Sequence, residues 1–239
     1  PFKTCSLDCI YCQLGTTFQK TIDRKKYFSI NEIISSIKHA IDSGHRIDYI
    51  TFSGSGEPTL NIAIGELIGK IKEFTDIPVA VLTNSTLLSQ EEVRKALQKA
   101  DLIVPSLDAA SQEVFLRINR PHPSLKFNEI LSGLIEFRNH FKGKIWLEIL
   151  FVKGVNDSHD HLLELKNATE KIRPDKIHLN TVVRPPAEIN AQPLSRSRLE
   201  EIQKFFGDKA EIAAEFHRGD QMPYQEDISK RILDMAKRR

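Results

Sequence analysis

The chain has 239 residues, 40% hydrophobic and 28% charged, with 34 basic against 32 acidic side chains and a formal net charge of +2. That size can bury the core of one large domain with room for a small appendage, and no run of about 18 apolar residues is present to form a membrane-spanning helix. A net charge this small does not by itself point to nucleic acid, and three clustered cysteines argue against a secreted disulfide framework and for a reducing, cytoplasmic setting.

In chain order, residues 47–52 read as a strand running into the turn Ser53-Gly54-Ser55-Gly56, and 62–74 as a helix with apolar residues at helical intervals. Short apolar runs at 78–82 and 102–107 flank a charged helical stretch at 90–99. Helices over 111–118 and around 127–141 come next, then a strand at 145–152. A helix at 160–172 stops before Pro174, a strand spans 176–182, and a helix opened by a serine cap spans 195–206. This alternation predicts an α/β fold of parallel strands joined by right-handed crossovers, with functional loops at the C-terminal strand ends. The pattern breaks at Asp208. Residues 210–216 read as a short strand and 225–239 as a helix whose basic end, Lys237-Arg238-Arg239, suits the helix dipole. The expected division is a core at 1–207 and a C-terminal extension at 208–239. Residue 1 is a proline and only four residues precede the first cysteine, so further sequence is expected upstream.

The three cysteines, Cys5, Cys9 and Cys12, have the spacing C-x3-C-x2-C and are the chain's whole thiol supply. A tetrahedral zinc site, or a four-iron cluster with a thiolate on every iron, would need a fourth ligand. The pair in Cys9-Ile10-Tyr11-Cys12 matches a redox C-x-x-C, but that reading leaves Cys5 without a role. A zinc site completed by a distant His or Asp stays open, although no histidine pair has zinc-finger spacing. Such a zinc- or cluster-stabilised module could bind nucleic acid without catalysis. Chemistry-bearing residues recur at the predicted strand ends. Gly54 and Gly56 permit close backbone approach, and Glu57 can accept from an ammonium. Asn84, Ser106 and Asp108 follow the next two strands, where helix capping is the structural alternative.

The cysteine spacing resembles the signature of the radical S-adenosylmethionine (radical SAM) superfamily, and Ser53-Gly54-Ser55-Gly56-Glu57-Pro58 is similar to its "GGE" segment. The resemblance implies a six-stranded partial (β/α) barrel whose first strand would lie before Pro1. It implies a [4Fe-4S] cluster on Cys5, Cys9 and Cys12, with SAM on the open iron. Glu57, with Gly54 and Gly56, would hold the amino group of SAM. Asn84, Ser106 and Asp108 would meet the ribose and carboxylate, Glu148 the ribose or amino acid, and Asn180 to Val182 the adenine, with Tyr11 against the adenine ring. A one-electron donor of flavodoxin or ferredoxin type would reduce the cluster. SAM would then split to methionine and a 5'-deoxyadenosyl radical, which takes a hydrogen from the substrate. The order of these motifs, continuing through Asn119-Arg120-Pro121 and Val152-Lys153-Gly154, resembles the tRNA wyosine-synthesis radical SAM proteins. Gln13 stands where those proteins tend to have Arg or another bulky residue, and no second cysteine set is visible. By the same resemblance tRNA is a candidate substrate; Arg120, Lys153 and Arg184, near the expected barrel mouth, are candidate substrate contacts, with surface solvation as the alternative reading.

Overall fold

The computed structural model describes residues 3–214. The helix expected at 225–239, its basic end and the last part of the strand expected at 210–216 lie outside them.

The chain begins with two two-residue strands, β1 (Thr4–Cys5) and β2 (Gln19–Lys20), paired in parallel around the cysteine loop. Helix α1 (Ile30–Asp42) follows, and β3 (Ile50–Phe52) then starts a regular repeat. Its members are α2 (Ile64–Lys72), β4 (Val79–Thr83), α3 (Glu91–Leu97), β5 (Leu102–Pro105), α4 (Gln112–Asn119), α5 (Phe127–His140), β6 (Lys144–Phe151), α6 (His159–Ile172), β7 (Lys176–Thr181), α7 (Arg196–Phe206) and β8 (Ala210–Ile212). Among the described residues the main sheet has six strands in the order β3 to β8, every neighbouring pair parallel. Five strands were expected before residue 208, and Ala210–Ile212 extends the same sheet beyond them.

The alternation of side chains makes the layers. On β6, Ile145, Leu147, Ile149 and Phe151 are fully buried on one face, whereas Trp146, Glu148 and Leu150 are half-buried on the other. The first set packs under the helices, which return apolar stripes such as Ile64, Leu67, Ile68 and Ile71 of α2. Each large side chain buried this way contributes about 1.5–3 kcal/mol. Serine caps begin three of the helices: Ser111, Ser158 and Ser195 accept from the backbone N–H of Val114, His161 and Arg198. Gly133 lets α5 press on the turn after β4, where a Cβ would stand 2.5 Å from the Leu88 carbonyl oxygen.

The other sheet face is concave. Tyr49, just before β3, and Trp146 of β6 meet edge-on with ring centroids 6.5 Å apart. Three strand spacings in a flat sheet would separate them by about 14 Å, so the sheet curls into a partial barrel. Its floor is closed by Trp146, Lys176, His178 and Glu211. Lys176 Nζ lies 4.9 Å from the Trp146 ring centre and 3.0 Å from Glu211 Oε1, and His178 Nε2 lies 2.8 Å from that same oxygen. Among the described residues no helix is long and apolar enough to cross a membrane.

Candidate active site

The cysteine loop leaves β1 beside the end of β3. Thr4 N–H donates to Ser55 O at 3.3 Å, Glu57 N–H donates to Thr4 O at 3.1 Å, and Thr4 and Gly56 form a parallel bridge. Thr4 and Cys5 pair with β2 in a sheet of their own, and this bridge ties them to the turn beyond β3. A Cβ at Gly56 would fall 1.9 Å from Thr4 O, so glycine is required there by this backbone crossing. Gly54 lies exposed on the open turn, with nothing near its missing Cβ.

The end of α4 holds the loop in place. Asp8 and Ile10 donate their backbone N–H groups to Asn119 O and Ile118 O at 2.9 and 3.0 Å, and His122 N–H donates to Ser6 O at 2.8 Å. Inside the loop, Asp8 Oδ1 accepts from Thr17 N–H, and Lys3 Nζ donates to Gly15 O. Cys5 is buried, Cys9 and Cys12 are half-buried, and all three are free. Burial, aided by the Glu57 carboxylate, pushes the Cys5 thiol up to about 11. Burial and the Asp108 carboxylate push Cys9 higher still. Thiolates here need a compensating positive charge, which a bound metal centre provides. Among the described residues no three Cys, His, Asp or Glu side chains converge as a single ion would require. Three thiols on one loop suit the separate irons of a cluster, which do not need such convergence.

Glu57 caps the short turn at residues 58–60. Its Oε1 accepts from Thr59 N–H, Thr59 Oγ1 and Thr83 Oγ1 at 3.0, 2.6 and 2.7 Å, and its Oε2 accepts from Asn84 N–H at 2.7 Å. Burial raises its pKa, partly opposed by those donors. Asn84, at the end of β4, turns its side-chain amide toward the cysteine loop and donates to Cys5 Sγ at 3.4 Å and Ser6 Oγ at 2.9 Å. Its Oδ1 is held by Thr86, so the amide orientation is determined by its partners.

A second polar row runs from just past β5 over the middle of β6 to the end of β7. Glu148 accepts from Ser106 Oγ at 3.2 Å through Oε2 and from Asn180 Nδ2 at 3.0 Å through Oε1. Val182 follows, buried, one residue past β7.

Asp108 faces into the protein. Its Oδ1 accepts from Leu150 N–H at 2.9 Å, and its Oδ2 accepts from Tyr11 Oη at 2.5 Å and Asn119 Nδ2 at 2.8 Å. Burial raises this carboxyl to about 6, against the pull of these donors, and the Tyr11 phenol is raised as well. Asn119 also donates to Cys9 Sγ at 3.3 Å. It was expected only as part of a motif, because a helix-ending asparagine carries no pattern that distinguishes a sulfur partner from a cap. Tyr11, Asn84, Ser106, Asp108 and Asn119 line one small cavity with Leu7.

At the mouth, Arg184 Nη1 donates to Gln13 Oε1 at 2.6 Å and Arg120 Nη1 lies 2.5 Å from Glu188 Oε1, so the loop after β7 is fastened across the cysteine loop. Glu188 N–H adds a bond to Ile10 O at 2.9 Å. Lys153 is exposed on the turn after β6.

The sequence profile of the Radical SAM superfamily matches residues 1–165, so the chain is an α/β enzyme of that superfamily, whose members bind a [4Fe-4S] cluster and SAM. More narrowly, it is 32% identical over 240 residues to a UPF0026 protein of Methanocaldococcus jannaschii, covering 98% of this chain and 74% of that one, and it belongs with it in the UPF0026 family. A Brachyspira hyodysenteriae protein named GTPase Obg is 43% identical over 206 residues, which are 86% of this chain but 30% of that protein. A dual-specificity RNA methyltransferase of Buchnera aphidicola is 30% identical over 192 residues, covering 73% of this chain and 50% of its own length. The solved structure of Streptococcus suis SuiB bound to S-adenosylmethionine superposes with a TM-score of 0.64 over 95% of this chain and 51% of that one. At 16% identity this is a likeness of fold.

Proposed function

We propose that this enzyme modifies RNA in the cytoplasm, using a [4Fe-4S] cluster held by Cys5, Cys9 and Cys12. The carrying observation is the triad's setting: three free thiols on one loop, two of them receiving amide hydrogen bonds from Asn84 and Asn119, beside strand ends rich in acceptors. When bound, cluster and SAM together supply one-electron reductive cleavage of a carbon–sulfur bond and, through it, hydrogen abstraction from the substrate.

The chain's own residues bind and orient. Glu57 Oε2 has a single protein donor, in the turn after β3 where the resemblance puts the amino group of SAM. Ser106, Glu148 and Asn180 form a hydrogen-bonded row that can exchange its internal bonds for ribose hydroxyls. Asp108 fixes the phenol of Tyr11 and so the plane of a ring that can lie on adenine, and Val182 offers backbone beside it. Gly54 leaves its turn open to a ligand. Arg120, Arg184 and Lys153 rim the mouth and suit phosphates. RNA as substrate draws on these side chains and on the likeness to the RNA methyltransferase, and the order of motifs favours tRNA modification of wyosine type. The electron comes from a flavodoxin- or ferredoxin-type donor.

The test is anaerobic iron–sulfide reconstitution followed by incubation with dithionite, SAM and bulk tRNA. About four irons per chain, 5'-deoxyadenosine formation and a changed nucleoside profile in the tRNA are expected. SAM cleavage with no change in any RNA would remove RNA from the proposal. Salt-sensitive RNA binding without SAM cleavage would favour a binding module instead.

A further inference from the structure

We infer that Asn119 is a positioning residue for electron transfer: its side-chain amide, bridging Cys9 Sγ and the Asp108 carboxylate, holds the cluster's reduction potential above the value the surrounding acids would impose. The inference rests on the cluster reading of the cysteine triad.

Asn119 is buried, 3% exposed, and its two amide hydrogens have two partners, Cys9 Sγ at 3.3 Å and Asp108 Oδ2 at 2.8 Å. Its carbonyl also receives Asp8 N–H from the cysteine loop, so backbone and side chain grip the same loop. Reduction adds one electron to the cluster, and the added negative charge spreads onto the cysteine sulfurs. An N–H dipole aimed at a sulfur favours that charge, and a nearby carboxylate opposes it. Both effects are strong in a buried, low-dielectric setting. Asn119 does two things at once: it donates to the sulfur, and it occupies one lone pair of the carboxylate that disfavours reduction. Asn84 supplies the matching bond at Cys5 Sγ, at 3.4 Å. Among the described residues no side-chain donor reaches the Cys12 sulfur, so the donors act on two corners only.

Asn119 and Asp108 should therefore move the potential in opposite directions. The reconstituted full chain is titrated against redox dyes under anaerobic conditions, with the reduced cluster followed by electron paramagnetic resonance, alongside N119L and D108N. N119L is expected to keep its iron and shift to a more negative potential, and D108N to a more positive one. Two unchanged potentials, or two shifts of the same sign, overturn the inference, because disturbed packing alone has no reason to produce opposite signs. If N119L loses its cluster, N119A decides: a more negative potential supports the inference and an unchanged or more positive one overturns it. A wild-type chain that takes up no iron instead refutes the cluster reading, an outcome distinct from a cluster whose potential ignores these residues.

Discussion

The two ends of the barrel's inner face treat their acids differently. At the floor, Glu211 sits between Lys176 and His178, and the Lys176 ammonium also covers the Trp146 ring. Toward the mouth Glu57 and Glu148, and further in the inward-facing Asp108, are bound only by neutral donors, and among the described residues no Lys, Arg or His comes within ion-pair distance of them. Burying a carboxylate without a cation is costly, and two of the three show it as raised pKa values. At the floor the Glu211 carboxylate is paired with the Lys176 ammonium, whereas the mouth keeps anionic capacity that a cationic ligand, such as an ammonium or sulfonium, would relieve.

The contrast can be broken most severely at the cysteines. Cys9→Ala is expected to lose bound iron and all SAM cleavage while leaving the circular dichroism of the fold in place; retention of a full cluster would remove Cys9 from the ligand set. Glu57→Ala comes next. It leaves donors on Thr59, Thr83 and Asn84 without their acceptor, a cost of about 1–3 kcal/mol in urea unfolding, and SAM affinity should fall at least tenfold. Unchanged affinity would put the ammonium elsewhere.

Asp108 gives the contrast a pH dependence. Its carboxyl is raised in the fold, from 3.8 to about 6, so the folded state binds more protons than the unfolded one in that window. Its contribution to stability is present below pH 4 and is lost as pH rises through 6. A shift of this size corresponds to about 3 kcal/mol. For the cluster-free protein, the stability of the wild type relative to Asp108→Asn should decline between pH 4 and 7 by up to that amount, as measured by urea titration at each pH. A flat difference would mean the carboxyl is not held as described. The smallest effect belongs to the floor. Glu211→Gln removes half-exposed pairs of a kind that contribute 0–1 kcal/mol, and SAM cleavage should be unchanged.

Most strands and helices were legible because their periodicity and caps agree: β6 differs from the expected strand by one residue at each end, and Ser195 caps α7 as read. Helix α1 was not anticipated, although Ile30, Ile33, Ile34, Ile37 and Ile41 carry a helical stripe. Spacing revealed the cysteines and the strand-end polar residues, since both depend on local order. What stayed hidden depends on long-range geometry. Gly56 is a glycine because β1 crosses it, and Asp108 points inward because Leu150, Tyr11 and Asn119 converge on it from three other parts of the chain. Asn119 to Cys9 spans 110 positions, beyond what any local pattern encodes.

The most direct test is the product balance of the reconstituted enzyme with dithionite and SAM, followed by iron analysis and chromatography. The site described here predicts about four irons per chain and equal amounts of methionine and 5'-deoxyadenosine, both abolished in Cys9→Ala. Stoichiometric zinc without iron, or an iron-loaded protein that leaves SAM intact, would contradict it.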